Sequence, residues 1–180
     1  MHLVNRIKQI DEKAINDIME QYGDYLLRTA VLLLKDYQEA EEAVQDTFII
    51  AYQKMEQLDD PKKLKSWLTA IMINQCRARF RKWSWKHVFP SFDIINSQKD
   101  DLNQTHDDLL IGADTKQNMV DAIQQLDYKY REVITLYYFN EYKITEIAVQ
   151  LDTKENTVKS RLKRGRLLLK DLLKKKEDVG

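Results

Sequence analysis

Apolar residues return at helical spacing twice between Glu141 and Lys176, with one polar interruption between the two runs. Ile144, Ile147, Ala148 and Leu151 share one face of a short helix, and Asp152, Thr153 and Lys154 break the pattern. From Glu155 onward Val158, Leu162, Leu169 and Leu172 take the buried side of a second helix. Lys159, Lys163, Arg166 and Lys170 line its other side, with Ser160 and Arg164 in an adjacent row. A short helix, a tight turn and a long basic helix make a helix-turn-helix, whose second helix fits a DNA major groove. Lysines and arginines at this spacing reach phosphates and purine edges together. The plainer alternative is a solvated basic face on an ordinary amphipathic helix.

The 180 residues suit one domain or two small ones. With 29 basic and 29 acidic side chains, net charge is silent about partners, but the distribution is not. Residues 1–60 hold six basic side chains against thirteen acidic ones; residues 61–90 hold eight basic and no acidic. Residues 91–125 set two lysines against seven aspartates, and residues 126–180 carry thirteen basic and nine acidic groups. Two separated basic stretches predict two contacts with a polyanion. Cys76 is the single cysteine, so no internal disulfide forms, and His2, His87 and His106 share no ligand spacing. No metal and no cofactor are expected. No signal peptide or membrane-spanning run is visible, which makes the cytosol the default compartment. Four glycines and two prolines among many Leu, Ile, Lys and Glu favour helix throughout.

The fold class expected is all-α: two small helical domains joined by a flexible linker, the second containing the helix-turn-helix. Residues 1–34 read as helix through Ile7, Ile10, Ile15, Ile18, Tyr22, Leu26, Thr29 and Leu33, with Gly23 a loosening point and Lys35-Asp36-Tyr37 a break. Gln38 to Glu56 is a second helix with a core stripe of Ala40, Val44, Phe48, Ala51 and Met55. Its opposite face, Glu41, Glu42, Gln45 and Asp46, is either merely solvated or complementary to a basic groove on a protein partner. Asp59-Asp60-Pro61 starts a new helical segment, since Pro suits a first helical position. Leu64 to Lys82 is the third helix, packing through Leu64, Trp67, Leu68, Ile71 and Met72. Asn74, Arg77 and Arg81 share one of its faces, flanked by Arg79 and Lys82; Trp83, Trp85 and Phe89 follow. Bases without acids, interleaved with aromatics, suit a single-stranded nucleic acid. The competing view makes Trp67 core, the later tryptophans a cap on the bundle and the charges solvated.

Pro90 to Gln117 reads as a polar, acidic linker, able to shield the basic modules on either side. A second helical unit opens at Lys116 with Met119, Val120, Ile123 and Leu126 inward, and continues from Tyr130 to Phe139 through Val133, Ile134, Tyr137 and Tyr138. Asn140-Glu141 is a turn into the helix-turn-helix, and Lys174 to Gly180 is expected to fray. The residues alone favour nucleic-acid binding without fixing its type, and leave open a two-domain helix-turn-helix regulator that binds DNA as a dimer and a helical protein-binding adaptor. An enzyme is the remotest class, because the acids and bases sit at solvated helical positions.

The strings AEEAVQDTFIIAYQKM (Ala40 to Met55) and LKSWLTAIMINQCRARFRK (Leu64 to Lys82) resemble the core-binding and minus-ten-binding parts of region two of extracytoplasmic-function sigma factors, group IV of the sigma-70 family. Ala122 to Leu173 resembles region four of the same family. The chain departs from the family pattern at Ala78, where an acidic or amide residue is common, and at Leu58 and Leu64, where phenylalanine is frequent. Asp152, Thr153 and Asn156 replace a more usual glycine, aliphatic residue and glycine at the turn; Asp and Asn tolerate the left-handed conformation.

The resemblance implies a transcription initiation factor that directs core RNA polymerase, through its beta and beta-prime subunits, to promoter DNA and supports strand opening. It implies domains at 1–89 (region two), 90–115 (linker) and 116–176 (region four). Glu42, Gln45, Asp46 and Ile49 would dock on polymerase. Asp59, Asp60, Lys62, Lys63, Lys65, Asn74, Arg77, Arg79, Arg81 and Lys82 would serve the minus-ten element, capturing extruded bases and guiding the strand. Lys159, Ser160, Arg161, Lys163, Arg164 and Arg166 would serve the minus-thirty-five element. Catalysis would belong to the polymerase. An inhibitory anti-sigma factor, which can be membrane-bound, is implied as a further partner of a cytoplasmic protein.

Overall fold

The computed structural model describes residues 12–88 and 114–177, and every regular element among them is helical. The first unit is α1 (Glu12–Leu34), α2 (Tyr37–Gln53) and α3 (Leu64–Val88), with single 3-10 turns at Met55–Gln57 and Pro61–Lys63. The second is α4 (Asp114–Gln125), α5 (Tyr128–Ile134), a π-helical turn at Thr135–Phe139, α6 (Ile144–Gln150) and α7 (Glu155–Glu177). None of these helices is long and apolar enough to cross a membrane. The linker expected at 90–115 falls almost wholly outside the described residues, as do Ile7 and Ile10 of the expected first helix.

The breaks follow from local chemistry. Lys35 ends α1 in the left-handed region at φ 66°, and Asp36 then caps α2 by accepting from the Glu39 N–H at 2.9 Å. Asp60 accepts from the Lys62 N–H at 3.0 Å, with Pro61 at the first helical position behind it. Asp152 takes φ 47° between α6 and α7, the conformation that an aspartate in place of glycine tolerates. Glu141 does the same at φ 58° after the π turn.

The α2 stripe is buried as its spacing requires: Ala40, Val44, Phe48, Ala51 and Met55 all face the core against α1 and α3. Several expectations are revised. α1 runs unbroken through Gly23, beside which nothing stands within 4 Å of a built Cβ. α2 ends at Gln53 rather than Glu56, with the chain tightening into a 3-10 turn. α3 continues six residues past Lys82, and the core stripe on it is Leu64, Leu68, Thr69, Met72, Ile73 and Cys76. Trp67 and Ile71 are only half-buried, at the edge of that stripe. Tyr138 is 50% exposed, because the π turn takes an extra residue to come round and leaves it short of the core face. α7 holds to Glu177, beyond the expected fraying point.

The helix-turn-helix closes as its pattern predicts. Ile147 and Ala148 of α6 and Leu151 just after it pack against Val158 and Leu162 of α7, all buried. Gly165 lies where α7 passes α5. A Cβ there would stand 3.0 Å from Ile134 Cγ1, so any larger residue would have to push the Ile134 side chain aside.

The two units touch. α1 lies against α4, α5 and the π turn. Much of that seam is polar: Gln124 donates to the Val31 carbonyl at 3.0 Å, Asn140 to Thr29 Oγ1 at 2.8 Å, and Tyr142 OH meets Thr69 Oγ1 at 3.1 Å. Arg131, buried, donates to the Leu33 carbonyl across the seam and to the Leu126 carbonyl within its own unit. Desolvation lowers the pKa of Arg131, and these two carbonyls compensate part of the cost of burying its charge.

Candidate nucleic-acid interface

Helix α7 presents its outer face as the burial of Val158 and Leu162 dictates. With those two turned inward, Lys159, Ser160, Lys163 and Arg164 are exposed on successive turns. Lys159 has a long contact of 3.9 Å to Glu155, one turn back, and Ser160 Oγ donates to the Thr157 carbonyl at 3.0 Å. Arg161 is half-buried. Arg166 stands apart from this group: its guanidinium lies 5.7 Å from the Tyr137 ring centroid and 5.8 Å from that of Tyr138. It lines an apolar groove with Met119, Ile123, Phe139 and Leu169.

The basic face of α3 is arranged differently. Asn74, Arg81 and Lys82 are exposed, as are Asp59, Lys62, Lys63 and Lys65 in and after the preceding loop; Asp60 is half-buried by its capping role. Lys65 Nζ sits 4.2 Å above the Tyr25 ring. Arg79 reaches across to α2, contacting Asp46 at 2.6 Å and Glu39 at 3.3 Å. Arg79 and Asp46, expected to serve two different surfaces, therefore hold one another. Arg77 makes a bidentate pair with Glu132 of α5, Nε to Oε1 at 2.6 Å and Nη2 to Oε2 at 3.0 Å. That hydrogen bonding raises the Arg77 pKa against the opposing effect of burial. Asn74, Arg77, Lys63, Asp59 and Trp67 line one wall of a cleft of about 590 Å³; Val149, Gln150 and Asp152 of the helix-turn-helix line the other.

On α2, Glu42, Gln45 and Ile49 are exposed along one stripe, with Ile49 at 55%. Tyr52 continues it one turn on and is also exposed; its spacing of three from Ile49 was the signal for it. Among the described residues no three His, Cys, Asp or Glu side chains converge as a metal site would require.

The sigma-70 region 2 family model matches residues 18–86, and the sigma-70 region 4 model matches residues 116–169. SigL of Mycobacterium tuberculosis, an ECF RNA polymerase sigma factor, is 31% identical over 81% of this chain and 80% of its own. The chain belongs to the ECF RNA polymerase sigma factors. SigW of Bacillus subtilis, another member, is 28% identical over 97% of this chain and 98% of its own. Among solved structures, the sigma factor RpoE from Bartonella quintana, crystallised with the anti-sigma factor NepR, superposes with a TM-score of 0.68 at 25% identity, over 90% of this chain and 98% of that one. CnrH, solved with the cytosolic domain of CnrY, shares the fold with a TM-score of 0.66 at 21% identity, over 96% and 95% of the two chains. This sigma factor is a transcription initiation factor: α1 to α3 form its region 2, and α4 to α7 form its region 4 with the helix-turn-helix.

Proposed function

We propose that this sigma factor brings core RNA polymerase to promoters by reading the minus-thirty-five element with α7 and holding the opened minus-ten strand against α3. The observation that carries the reading is the exposed row of Lys159, Ser160, Lys163 and Arg164 on a helix whose opposite side closes a helix-turn-helix. Arg161 supplies a backbone contact beside that row, and Arg166 one farther along the helix. In region 2, the loop from Asp59 to Lys65 forms one side of the site for an extruded base, and Asn74, Arg77, Arg81 and Lys82 track the strand. Arg79 supports this face by anchoring α3 to α2.

The α2 stripe of Glu42, Gln45 and Ile49 docks on the large subunits of polymerase, with Asp46 contributing through its orientation by Arg79. The domains run 1–89, 90–115 and 116–176. The protein works in the cytoplasm, carries no catalytic site of its own and leaves RNA synthesis to the polymerase. An anti-sigma factor is its inhibitory partner; the co-crystal of the similar RpoE with NepR supports that assignment.

The test is footprinting with and without core enzyme on genomic fragments retained by holoenzyme. Protection of minus-ten and minus-thirty-five segments only when core is present is the expected result. Protection of an operator by the free chain would favour a regulator that acts alone. For the docking stripe, Glu42→Lys with Ile49→Ala should weaken core association while thermal unfolding is unchanged. Reversal at Asp46 is avoided because it also breaks the Arg79 pair.

A further inference from the structure

A pocket of about 370 Å³ lies where the junction of α1 and α2 meets α3 and α5, a volume within the range of small-ligand sites. Lys35, Arg79 and Arg131 line it together with Asp36 and Glu39, three cations to two carboxylates. Arg79 is already taken up by Glu39, at 3.3 Å, and by Asp46. Lys35 is placed differently: among the described residues no carboxylate pairs with its ammonium. Arg131 is 3% exposed and gives its two Nη groups to the Leu33 and Leu126 carbonyls, but its Nε is buried with no hydrogen-bond partner among the described residues. Burial, and after it the Arg131 charge, holds the Lys35 pKa below its usual value. An anion beside the two cations relieves that repulsion.

Lys35 holds φ 66°, where a Cβ costs energy that glycine would avoid. What lysine supplies there, and glycine cannot, is a cation at the pocket rim. On α3, Phe80 stacks on Tyr128 with centroids 4.4 Å apart and on Trp83 at 6.3 Å, a ladder of three rings whose last member is 57% exposed. Phe80 and Trp83 line the same pocket as Lys35. A ring ladder with an exposed end takes a further flat ring by stacking, and an ammonium beside it takes a phosphate. Asp36 and Glu39 can accept from ring N–H groups, and their charge weighs against a longer polyphosphate. We infer that this pocket binds a nucleoside monophosphate, its base stacked on Trp83 and its phosphate held by Lys35 in the field of Arg131. Such binding is separate from promoter recognition and does not depend on which residues read the promoter.

The test is isothermal titration calorimetry of the free full-length chain with GMP and with AMP at fixed salt. At least one of the two should bind about tenfold more tightly than inorganic phosphate and than its own nucleoside, because ring and anion are held by different groups. Lys35→Gly should lower that affinity about tenfold, while its melting temperature without nucleotide does not fall, since glycine adopts φ 66° without strain. A merely structural role for Lys35 would not produce that split. Trp83→Ala, which removes an exposed ring, should weaken nucleotide binding several-fold and leave phosphate binding unchanged. It decides the matter if Lys35→Gly does not fold. No heat with either nucleotide, phosphate binding as tightly as nucleotide, or wild-type affinity in either folded variant would overturn the proposal.

Discussion

Helices α3 and α7 are nearly the same length, 25 and 23 residues, and both are rich in Lys and Arg, yet they use those charges in different ways. On α3, Arg79 is gripped by Glu39 and Asp46, and Arg77 by Glu132. On α7, Lys159, Lys163 and Arg164 stand outward in solvent above a buried seam of Val158 and Leu162. A guanidinium with carboxylates on it orients helices and must be released before it meets DNA; an exposed one is available at once. Counting basic residues along a helix does not separate these roles. The acids that fold against it do.

The contrast can be broken most forcefully from the inside of α7. Leu162→Ala removes a fully buried side chain from the helix-turn-helix seam and should cost about 2–5 kcal/mol of stability in urea titration. Its outward neighbour Lys163→Ala should stay within about 0.5 kcal/mol of wild type. If both cost the same, the rotation assigned to α7 is wrong. Gly165→Val comes next: its first side-chain atom meets Ile134, and overpacking of that kind costs about 1–3 kcal/mol, read by the same titration. The smallest loss from removing a contact is on α3. Arg79→Ala should lower stability by about 1 kcal/mol after solvent screening of its half-exposed partners, and the loss should shrink as salt rises. A salt-independent loss would mean that the Arg79 stem, rather than its charge, matters.

What was legible in the sequence was what repeats at short range. The α2 stripe from Ala40 to Met55 and the α7 seam of Val158 and Leu162 are periodic over several turns, so helix, face and rotation follow together. The helix-turn-helix break at Asp152 was legible for the same reason. What escaped depended on partners far along the chain. Nothing near Arg77 announces Glu132, and nothing near Arg79 announces Asp46, so both arginines read as open DNA contacts. Glu132 lies between Arg131 and Val133 and looks like one more solvated acid until the two units meet. Tyr138 read as inward because the period was carried through as 3.6, while the π turn at Thr135–Phe139 shifts it. Gly165 is legible on its own terms, since a glycine inside a strongly helical run marks a close helix approach.

The central claim is that the exposed charges of α7 read bases, and Arg164 tests it most directly. Holoenzymes with Arg164→Ala and with Lys170→Ala are compared with wild type on a set of single-base minus-thirty-five variants at one salt concentration. The account predicts that Arg164→Ala loses about 1–3 kcal/mol on the preferred sequence and little on the variants at one position, flattening discrimination there, while Lys170→Ala preserves it. A uniform loss across every variant for Arg164→Ala would contradict the account, making Arg164 a backbone contact and placing the base-reading face elsewhere on α7.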